Sequence, residues 1–402
     1  MVEMRTGKAC RHLKRARALC LCLALLCGAA AAEQAADLST EGQDCLYYKC
    51  TLPDGRAVFA GSRSTPGRYL DSRAVLLCLD TDGTVSWEYA DPKKGHCYYG
   101  DTAVTKDGNI AVCFEEDQSG TEIRLFTADG QPTGRSIPMN YLVEYFLLSS
   151  GVLMQSIMFN DPDPYTVMTG WDGNELFRFS GYLPLYPDRI VEEEDGMVMI
   201  GWERNDYNDR AARIVKMDWQ GKILWDTAVP FRTENPDMGL LQKGLGMAGD
   251  NGYLALYSEL GTGAAEDDYE RFDALVRFSP TGRILWMKEE FENRYPGFIL
   301  WNMTGYRDRY VLQYTKEEEN LTRYLWLDAD GNELGITEAC LSAENCRQAA
   351  KGKNVSTQYN GLFPLGDCLW AAFTAEKEDK DIGKELNSQD IVLVKVPEPE
   401  KQ

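Results

Sequence analysis

Short apolar runs on either side of glycine turns recur along almost the whole chain. The clearest copy, residues 274–286, is an apolar run, a turn at Gly282 and a second run that ends in Trp286. Residues 213–225 match it position for position around Gly221. Alternating polarity on both sides of a tight turn predicts a β-hairpin of short strands. Further copies surround Gly83, Gly130, Gly173 and Gly331, and residues 391–396 supply half of a seventh.

A second kind of hairpin lies between these copies, also with alternating polarity. Its turns are rich in Asp-Gly and Asn-Gly, which suit the positive φ angles of tight hairpins. They fall at Asp54-Gly55, Asp107-Gly108, Ser150-Gly151, Asp195-Gly196, Asn251-Gly252, Arg307-Asp308 and Gly366-Asp367. Successive turns are roughly 45 to 60 residues apart, which is the length of four short strands with their loops.

Two hairpins per unit, repeated seven times, predict an all-β fold: a seven-bladed β-propeller of four-stranded antiparallel blades over residues 45–396. The second hairpin type supplies strands A and B of each blade, and the first type supplies strands C and D. The seventh unit ends after its strand C at Val396, so we expect a segment within 33–44 to complete that blade and close the ring. Residues 397–402 remain as a C-terminal tail.

In four copies an aromatic residue follows the turn glycine at a distance of four. These pairs are Gly83/Trp87, Gly173/Phe177, Gly221/Trp225 and Gly282/Trp286. The spacing resembles the repeat of the quinoprotein-like (PQQ-repeat-like) β-propellers, a group that includes dehydrogenases using pyrroloquinoline quinone and non-enzymatic outer-membrane assembly proteins. Enzymes of that group resemble one another in a vicinal cysteine pair and eight blades. This sequence has seven units and no adjacent cysteines, so we predict no cofactor.

The regular place of the aromatic residues within each unit is typical of packing between blades. We therefore expect Trp87, Trp225 and Trp286 to be structural. Other tryptophans fall outside this register and are better candidates for exposed contacts, although we still favour a core role for them: Trp171, Trp202, Trp301 and Trp370.

Residues 1–32 have the pattern of a secretory signal peptide, with six basic residues, an apolar run at 18–26 and a small-residue cleavage site at 30–32. We therefore expect a secreted protein or one on the exterior of the cell envelope. The apolar run is too short to span a membrane comfortably, and no later run is long enough, so the mature chain is predicted to lack a transmembrane span. An uncleaved anchor is the alternative.

Charge and histidine content exclude several kinds of function. The 402 residues include 42 Lys+Arg and 63 Asp+Glu, for a net charge of −21, and removal of 1–32 changes this to −26. Such an acidic excess argues against a nucleic-acid partner. His12 and His96 are the only histidines, which leaves little scope for zinc chemistry. His96 and Cys97 are neighbours, and adjacent side chains on a strand point to opposite faces, so we do not expect a nucleophile–base pair.

Eight cysteines remain after removal of 1–32, and an even number favours disulfides in an exported chain. Cys340 and Cys346 are the pair that we expect to be bridged, because they enclose a short polar loop. The remaining cysteines are also explained as small buried residues. Asp80-Thr81-Asp82-Gly83 and Asp328-Ala329-Asp330-Gly331 begin like calcium loops but lack the later acidic ligands. We interpret both motifs as C–D hairpin turns and predict no metal site and no catalytic residues.

In a propeller the B–C and D–A loops share one face, and the A–B and C–D turns share the other. The predicted B–C loops of blades two to seven together carry more than half of the net charge of the mature chain. A face of this charge attracts a basic partner, although the solvation of an exported protein explains the same charge. The residues predicted to contact a partner are Glu115, Glu116, Asp117, Glu266, Asp267, Asp268, Glu317, Glu318 and Glu319.

These observations favour an exported, non-enzymatic propeller that binds a protein or a carbohydrate through the B–C/D–A face. The partner is basic if the acidic loops attract it. The alternative is an enzyme, either a glycosidase-like hydrolase that uses carboxylates or a degenerate quinoprotein dehydrogenase. The sequence does not single out two acids for glycoside cleavage.

Overall fold

Seven four-stranded sheets make up the described part of the chain, as a computed structural model shows. The structure describes residues 35–37, 43–65, 68–116, 120–139, 143–156, 163–203, 212–230, 240–248, 250–262, 269–289, 291, 294–316, 321–340, 355–377 and 388–399. All 28 regular elements within these ranges are β-strands. The described ranges contain no helix with the length and apolar character needed to cross a membrane.

Each sheet is one blade, and its strands follow one another from the innermost strand A to the outermost strand D. The A strands are β2 (Gln43–Thr51), β6 (Cys97–Val104), β10 (Val143–Leu148), β14 (Leu185–Glu193), β18 (Leu240–Met247), β22 (Ile299–Tyr306) and β26 (Val355–Leu365). The B strands are β3 (Ala57–Thr65), β7 (Ile110–Glu116), β11 (Gly151–Ser156), β15 (Gly196–Glu203), β19 (Tyr253–Thr262), β23 (Arg309–Lys316) and β27 (Cys368–Lys377).

The outer half of each blade comes from the second hairpin of the repeat. The C strands are β4 (Arg68–Leu79), β8 (Gly120–Phe126), β12 (Tyr165–Gly170), β16 (Ala212–Asp218), β20 (Tyr269–Phe278), β24 (Leu321–Asp328) and β28 (Ser388–Val396). The D strands are β5 (Val85–Ala90), β9 (Pro132–Met139), β13 (Glu175–Ser180), β17 (Ile223–Val229), β21 (Ile284–Lys288), β25 (Glu333–Cys340) and, in blade seven, β1 (Ala35–Asp37). The predicted seven-bladed propeller of four-stranded antiparallel blades is confirmed.

Apolar side chains fill the spaces between neighbouring blades. On β27, Leu369, Ala371 and Phe373 pack against blade six, whereas Trp370 and Ala372 pack against blade one. Successive side chains of a strand point to opposite faces, so a strand covered on both faces has a continuously apolar sequence. The cluster shared by blades seven and one closes the ring.

Turn geometry explains the acidic residues of the calcium-like motifs. The amide of Gly83 donates to the carbonyl of Asp80 at 2.9 Å, and the Asp82 carboxylate accepts the amide of Thr84 at 2.9 Å. The Asp328 carboxylate likewise accepts the amide of Asp330 at 2.9 Å. Both motifs are C–D hairpin turns, as predicted, with their carboxylates bonded to the turn backbone.

The tryptophans of the repeat join each blade to the next. Each of them packs on the turn glycine one blade further along the chain, in the pairs Trp87/Gly130, Trp225/Gly282 and Trp286/Gly331. An idealised Cβ atom on Gly282 would lie 2.4 Å from Cε3 of Trp225, which is too close for any side chain. The packing role predicted for these tryptophans is therefore confirmed. The glycines are required by the neighbouring blade as well as by their own turns.

Gly134 of blade two stands where the repeat places an aromatic residue. The turn glycine of the following blade, Gly173, accordingly has open space where a Cβ atom would lie: no neighbouring atom of the described chain is within 4 Å.

Blade six also has a glycine, Gly335, where the repeat places an aromatic residue. In this blade the C-terminal tail lies where the C–D turn of the next blade would otherwise pack. An idealised Cβ atom on Gly335 would lie 2.9 Å from Cβ of Pro399. Glu398 forms ion pairs with Arg309 at 3.3 Å and with Arg307 at 3.6 Å. Blade seven has no C–D turn, and the tail occupies the place against blade six that such a turn would fill.

Candidate functional site

A cavity of 310 Å³ opens on the B–C/D–A face between blades one and two. It lies among the beginning of β2, the end of β3, the beginning of β4 and the beginning of β6. Side chains that border it include Tyr47, Lys49, Ser62, Ser72, His96 and Tyr98. Tyr47 is 47% exposed and Tyr98 is 40% exposed, so two aromatic rings of this region remain in contact with solvent. This space is called the blade one–two cavity below.

The D–A loop that precedes β6 forms one wall of the cavity. The amide of Asp91 donates to the carbonyl of Ala74 at 2.9 Å, and the amide of Gly95 donates to the carbonyl of Ser72 at 3.2 Å. His96 has a φ of +43°, in the left-handed region that L-residues avoid. Strain of this kind persists only where the surrounding bonds impose it. The loop is therefore a fixed wall, with His96 held at its end.

A buried ion pair anchors the start of this loop. Asp91 is 3% exposed, pairs with Arg124 and accepts the hydroxyl of Tyr99 at 3.0 Å. The Arg124 guanidinium also lies 3.5 Å from the ring centre of Phe114. Buried charges need such partners, and these partners belong to blade two, so they tie the loop to both blades.

Tyr98 is held in place by a carboxylate that two tyrosines share. Glu115 accepts the hydroxyl of Tyr98 and that of Tyr145, on blade three, at 3.3 Å. The Cys113 thiol lies 3.8 Å from the same carboxylate, and burial raises the pKa of this thiol to about 12. Burial also raises the pKa of Tyr98 and of Tyr145. Both tyrosines therefore stay protonated and remain hydrogen-bond donors.

β-Bulges recur on the innermost strands, in all of them except β10. A bulge leaves one residue without a partner on the neighbouring strand and changes the direction of the backbone there. The bulged residues are Lys49, Asp188, Lys243, Trp301 and Asn360, and on β6 Gly100 and Asp101 together lie opposite Cys113. Lys49 and Asp101, on neighbouring blades, form an ion pair at 3.5 Å. Trp301 is 46% exposed.

Two carboxylates, Glu144 and Asp188, lie near each other on the innermost strands of blades three and four. Glu144 accepts the amide of the Gln155 side chain at 2.5 Å. Removal from bulk water raises the pKa of Asp188 to about 6, and the negative charge of Glu144 adds to this shift against the opposing effect of Arg189. Asp101, Glu115, Glu144 and Asp188 are called the inner carboxylates below.

Two of the acidic residues predicted to meet a partner are bonded within the protein. Glu115 is shared by Tyr98 and Tyr145, as described, and Glu116 pairs with Lys93. The others lie outside the described residues: Asp117, Glu266, Asp267, Asp268, Glu317, Glu318 and Glu319.

Of the predicted bridge, the Cys340 side chain and Cys346 also lie outside the described residues, so this disulfide stays a prediction. Five cysteines of the described residues are free thiols: Cys50, Cys78, Cys97, Cys113 and Cys368. Cys97 donates to the carbonyl of Gly95 at 3.1 Å, and burial raises the pKa of its thiol. Although Cys97 and His96 border the same cavity, that thiol is not an activated nucleophile.

The tryptophans outside the repeat register have different environments. Trp301 is exposed, whereas Trp370 is buried at 3%. The indole nitrogen of Trp171 donates to the carbonyl of Ser149 at 2.9 Å. The side chain of Trp202 lies outside the described residues. No three His, Cys, Asp or Glu side chains of the described ranges are grouped so that they could hold a metal ion.

The blade one–two cavity was missed at the level of sequence, although one signal pointed to it. Cys45, Tyr47 and Lys49 are two residues apart, and all three border the cavity, whereas Leu46 faces blade seven. The alternation of residues along β2 was visible in the sequence. The opposite wall of the cavity comes from a different blade, however, and the sequence does not show that the two walls meet.

Comparison with known proteins identifies similar folds and no family. No protein-family profile matches the sequence, and no curated protein matches it. The β-propeller domain of the Trilobed protease from Pyrococcus furiosus is 7% identical with a TM-score of 0.49, over 87% of this chain and 94% of that one. Drosophila Plexin A, solved in complex with Semaphorin 1b, is 10% identical with a TM-score of 0.46, over 90% and 87%. A member of the DUF4221 family from Bacteroides vulgatus is 10% identical with a TM-score of 0.44, over 90% and 98%.

Proposed function

We propose that this protein is an exported, non-enzymatic binding module that holds a partner with cationic groups on its B–C/D–A face. The observation that carries the proposal is the position of the inner carboxylates. They lie on three consecutive blades, two to four, with Glu115 at the end of β7 and Glu144 at the beginning of β10, which are the strand ends on this face. The N-terminal signal pattern supports export.

The electrostatics of the inner carboxylates favour a cationic partner. Removal of Asp188 from bulk water is the main cause of its raised pKa; Arg189 opposes this shift, and the charge of Glu144 adds a smaller contribution to it. A Lys or Arg side chain of a partner placed beside the two carboxylates would favour their ionised forms. The acidic B–C loops add a longer-range field of the same sign, which increases the rate at which a basic partner arrives.

Several acids of the opposite face have local roles in turns. The carboxylates of Asp82, Asp172, Asp218 and Asp328 each accept a backbone amide within their own turn. Their side chains are explained by the hairpins that they stabilise. The acidic B–C loops have no such turn motif in the sequence, which supports a role for their charge in binding.

The test compares charge removal on the two faces. The variant Glu266→Gln, Asp267→Asn, Asp268→Asn removes three charges from one B–C loop. The control variant Asp107→Asn, Asp129→Asn, Asp308→Asn removes the same charge from exposed turns of the other face. The probe is a labelled lysine-rich peptide, and its association rate is measured by stopped flow from low to physiological salt.

We expect the B–C loop variant to slow association several-fold and the control variant to slow it much less, with both effects decreasing as the screening length approaches about 8 Å. Equal effects of the two variants would show that only the net charge matters. That result would refute a binding face on this side.

One observation favours a second function, a carboxylate-based hydrolase. Asp188, with its pKa raised to about 6, lies beside Glu144, and glycosidases pair a protonated acid with an ionised carboxylate. This hypothesis predicts hydrolysis of nitrophenyl glycosides that is lost in Asp188→Asn. If the wild-type protein releases no nitrophenol from a panel of such glycosides, the hydrolase hypothesis is wrong.

A further inference from the structure

We propose that the blade one–two cavity binds one uncharged sugar ring of a saccharide. The inference rests on the proposed function insofar as it places a ligand on the same face. It concerns a separate site, however, and a neutral ligand in place of a cationic one.

The size and walls of the cavity fit a single ring. Ligand cavities in proteins span about 300–1,000 Å³, and this cavity of 310 Å³ is at the lower end. Tyr47 and Tyr98 border it with 47% and 40% of their surfaces exposed. The aromatic face of tyrosine is apolar and its edge carries a polar group, which matches a sugar ring with C–H faces and hydroxyl edges.

The cavity is already formed without a ligand. Glu115 holds the Tyr98 hydroxyl and is itself held by Tyr145 on blade three, so the Tyr98 ring is not free to turn into the cavity. A Cβ atom on Gly61 would lie 1.8 Å from the carbonyl oxygen of Cys45, so the backbones of β2 and β3 that border the cavity are closely packed and fixed relative to each other. A rigid site loses less entropy when a ligand binds.

The charged groups at the cavity already have partners. Lys49 borders the cavity and pairs with Asp101, whereas Glu115 is bonded to Tyr98. A strongly charged ligand would compete with these bonds, so a neutral ligand is favoured. Lys49 and Asp101 form a pair at 3.5 Å, which presents an ammonium donor beside a carboxylate acceptor.

The remaining polar groups fit hydroxyls. Ser62, Ser72 and His96 border the cavity, and serine hydroxyls both donate and accept hydrogen bonds. Sugar hydroxyls also do both. An uncharged polyhydroxylated ring is therefore the ligand chemistry that complements these polar groups and the two tyrosine rings.

The experiment uses the full-length mature protein and a panel of neutral methyl glycosides, observed by saturation-transfer NMR and titrated where a signal appears. A glucuronide, a glucosaminide and a blocked neutral tripeptide containing phenylalanine extend the panel. Tyr47→Ala and Tyr98→Ala each remove one wall, and Tyr98→Phe keeps the ring while removing its bond to Glu115. Trp301→Ala is the control, because it removes an aromatic residue of similar exposure from blade six.

We expect at least one neutral glycoside to bind, with affinity reduced about tenfold or more in both alanine variants, retained in Tyr98→Phe and Trp301→Ala, and unchanged between low and physiological salt. Binding of only the charged sugars or only the tripeptide would overturn the inference. So would the absence of any binding, or affinity that is unchanged in both alanine variants.

Failure here is distinguishable from failure of the proposed function, because the lysine-rich peptide reports on the acidic loops and depends on salt. Loss of glycoside binding with peptide binding intact would leave the proposed function in place and remove only the saccharide site.

Discussion

The two faces of the propeller are built differently. On the A–B/C–D face the turns are short, with two to five residues between strands, and the tryptophan–glycine contacts join successive blades there. On the B–C/D–A face the loops differ in length from blade to blade, and the cavity, Glu115 and Glu144 lie at that end. The comparison shows that much of the regular inter-blade packing is placed on one face. The loops of the other face are therefore free to vary, which is typical of binding surfaces carried by a rigid scaffold.

The largest expected effect separates the inter-blade contact from the turn conformation that accompanies it. Gly282 and Gly173 have φ angles of +77° and +86°, but only Gly282 is covered by the tryptophan of the previous blade. Gly173→Ala should cost about 1–2 kcal/mol of unfolding free energy, because alanine resists the left-handed region. Gly282→Ala should cost about 1–3 kcal/mol more, because its Cβ collides with Trp225. Urea unfolding of both variants measures the difference.

A double variant is the control for that experiment. Once Trp225→Ala has removed the indole, adding Gly282→Ala should cost no more than Gly173→Ala does, because coupled residues are not additive. If the two glycine variants lose the same stability in the wild-type background, the tryptophan contact does not join the blades in the way described.

Removal of the tail should have a smaller effect on the same face. A chain that ends at Val396 loses the contact of Pro399 with Gly335 and the pairs of Glu398 with Arg307 and Arg309. We expect a loss of about 1–2 kcal/mol, since exposed ion pairs contribute about 0.2–1 kcal/mol each and some apolar surface is also uncovered. Glu398→Gln should lose only the part of the unfolding free energy that comes from the ion pairs. This difference from the wild-type protein should disappear in high salt. An unchanged melting temperature after truncation would show that the tail adds nothing to ring closure.

On the other face, Asp188→Asn should alter how stability depends on pH. The folded pKa of about 6 is above the usual 3.8, so between these values the folded state binds more protons than the unfolded state, and stability falls as pH rises. The wild-type protein should therefore lose on the order of 1 kcal/mol between about pH 4 and pH 6, after allowance for solvent screening. The variant should lack this part of the decline. If the wild-type protein and Asp188→Asn show the same pH dependence of the unfolding free energy in urea, the raised pKa of Asp188 is wrong.

The smallest effect is expected in the acidic loop. Glu266→Gln, Asp267→Asn and Asp268→Asn should change the unfolding free energy by less than about 0.5 kcal/mol each, as most surface substitutions do, even while they slow association of a basic peptide. Calorimetry on the triple variant provides the check. A large loss of stability would mean that these acids have structural partners, and the contrast between the two faces would be weaker than described.

Much of the architecture was predictable from local patterns. Strand alternation and turn chemistry act over a few residues, so the hairpins around Gly221 and Gly282 are legible in the sequence. Their repetition seven times then predicts the propeller, because a single blade cannot bury both of its faces. The same regularity indicated that Trp87, Trp225 and Trp286 pack between blades.

The specific contacts between blades could not be predicted from the sequence. The repeat shows Trp225 four residues after Gly221, but the residue that Trp225 covers is Gly282, one blade further on, and a single sequence contains no signal for that partner. The blade one–two cavity was hidden for the same reason, since Tyr47 and Tyr98 meet only when two blades pack side by side. The β-bulges at Asp101 and Asp188 have no local signature either. Spacing along the chain follows from local backbone chemistry, whereas the meeting of distant side chains follows from how one sheet packs against the next.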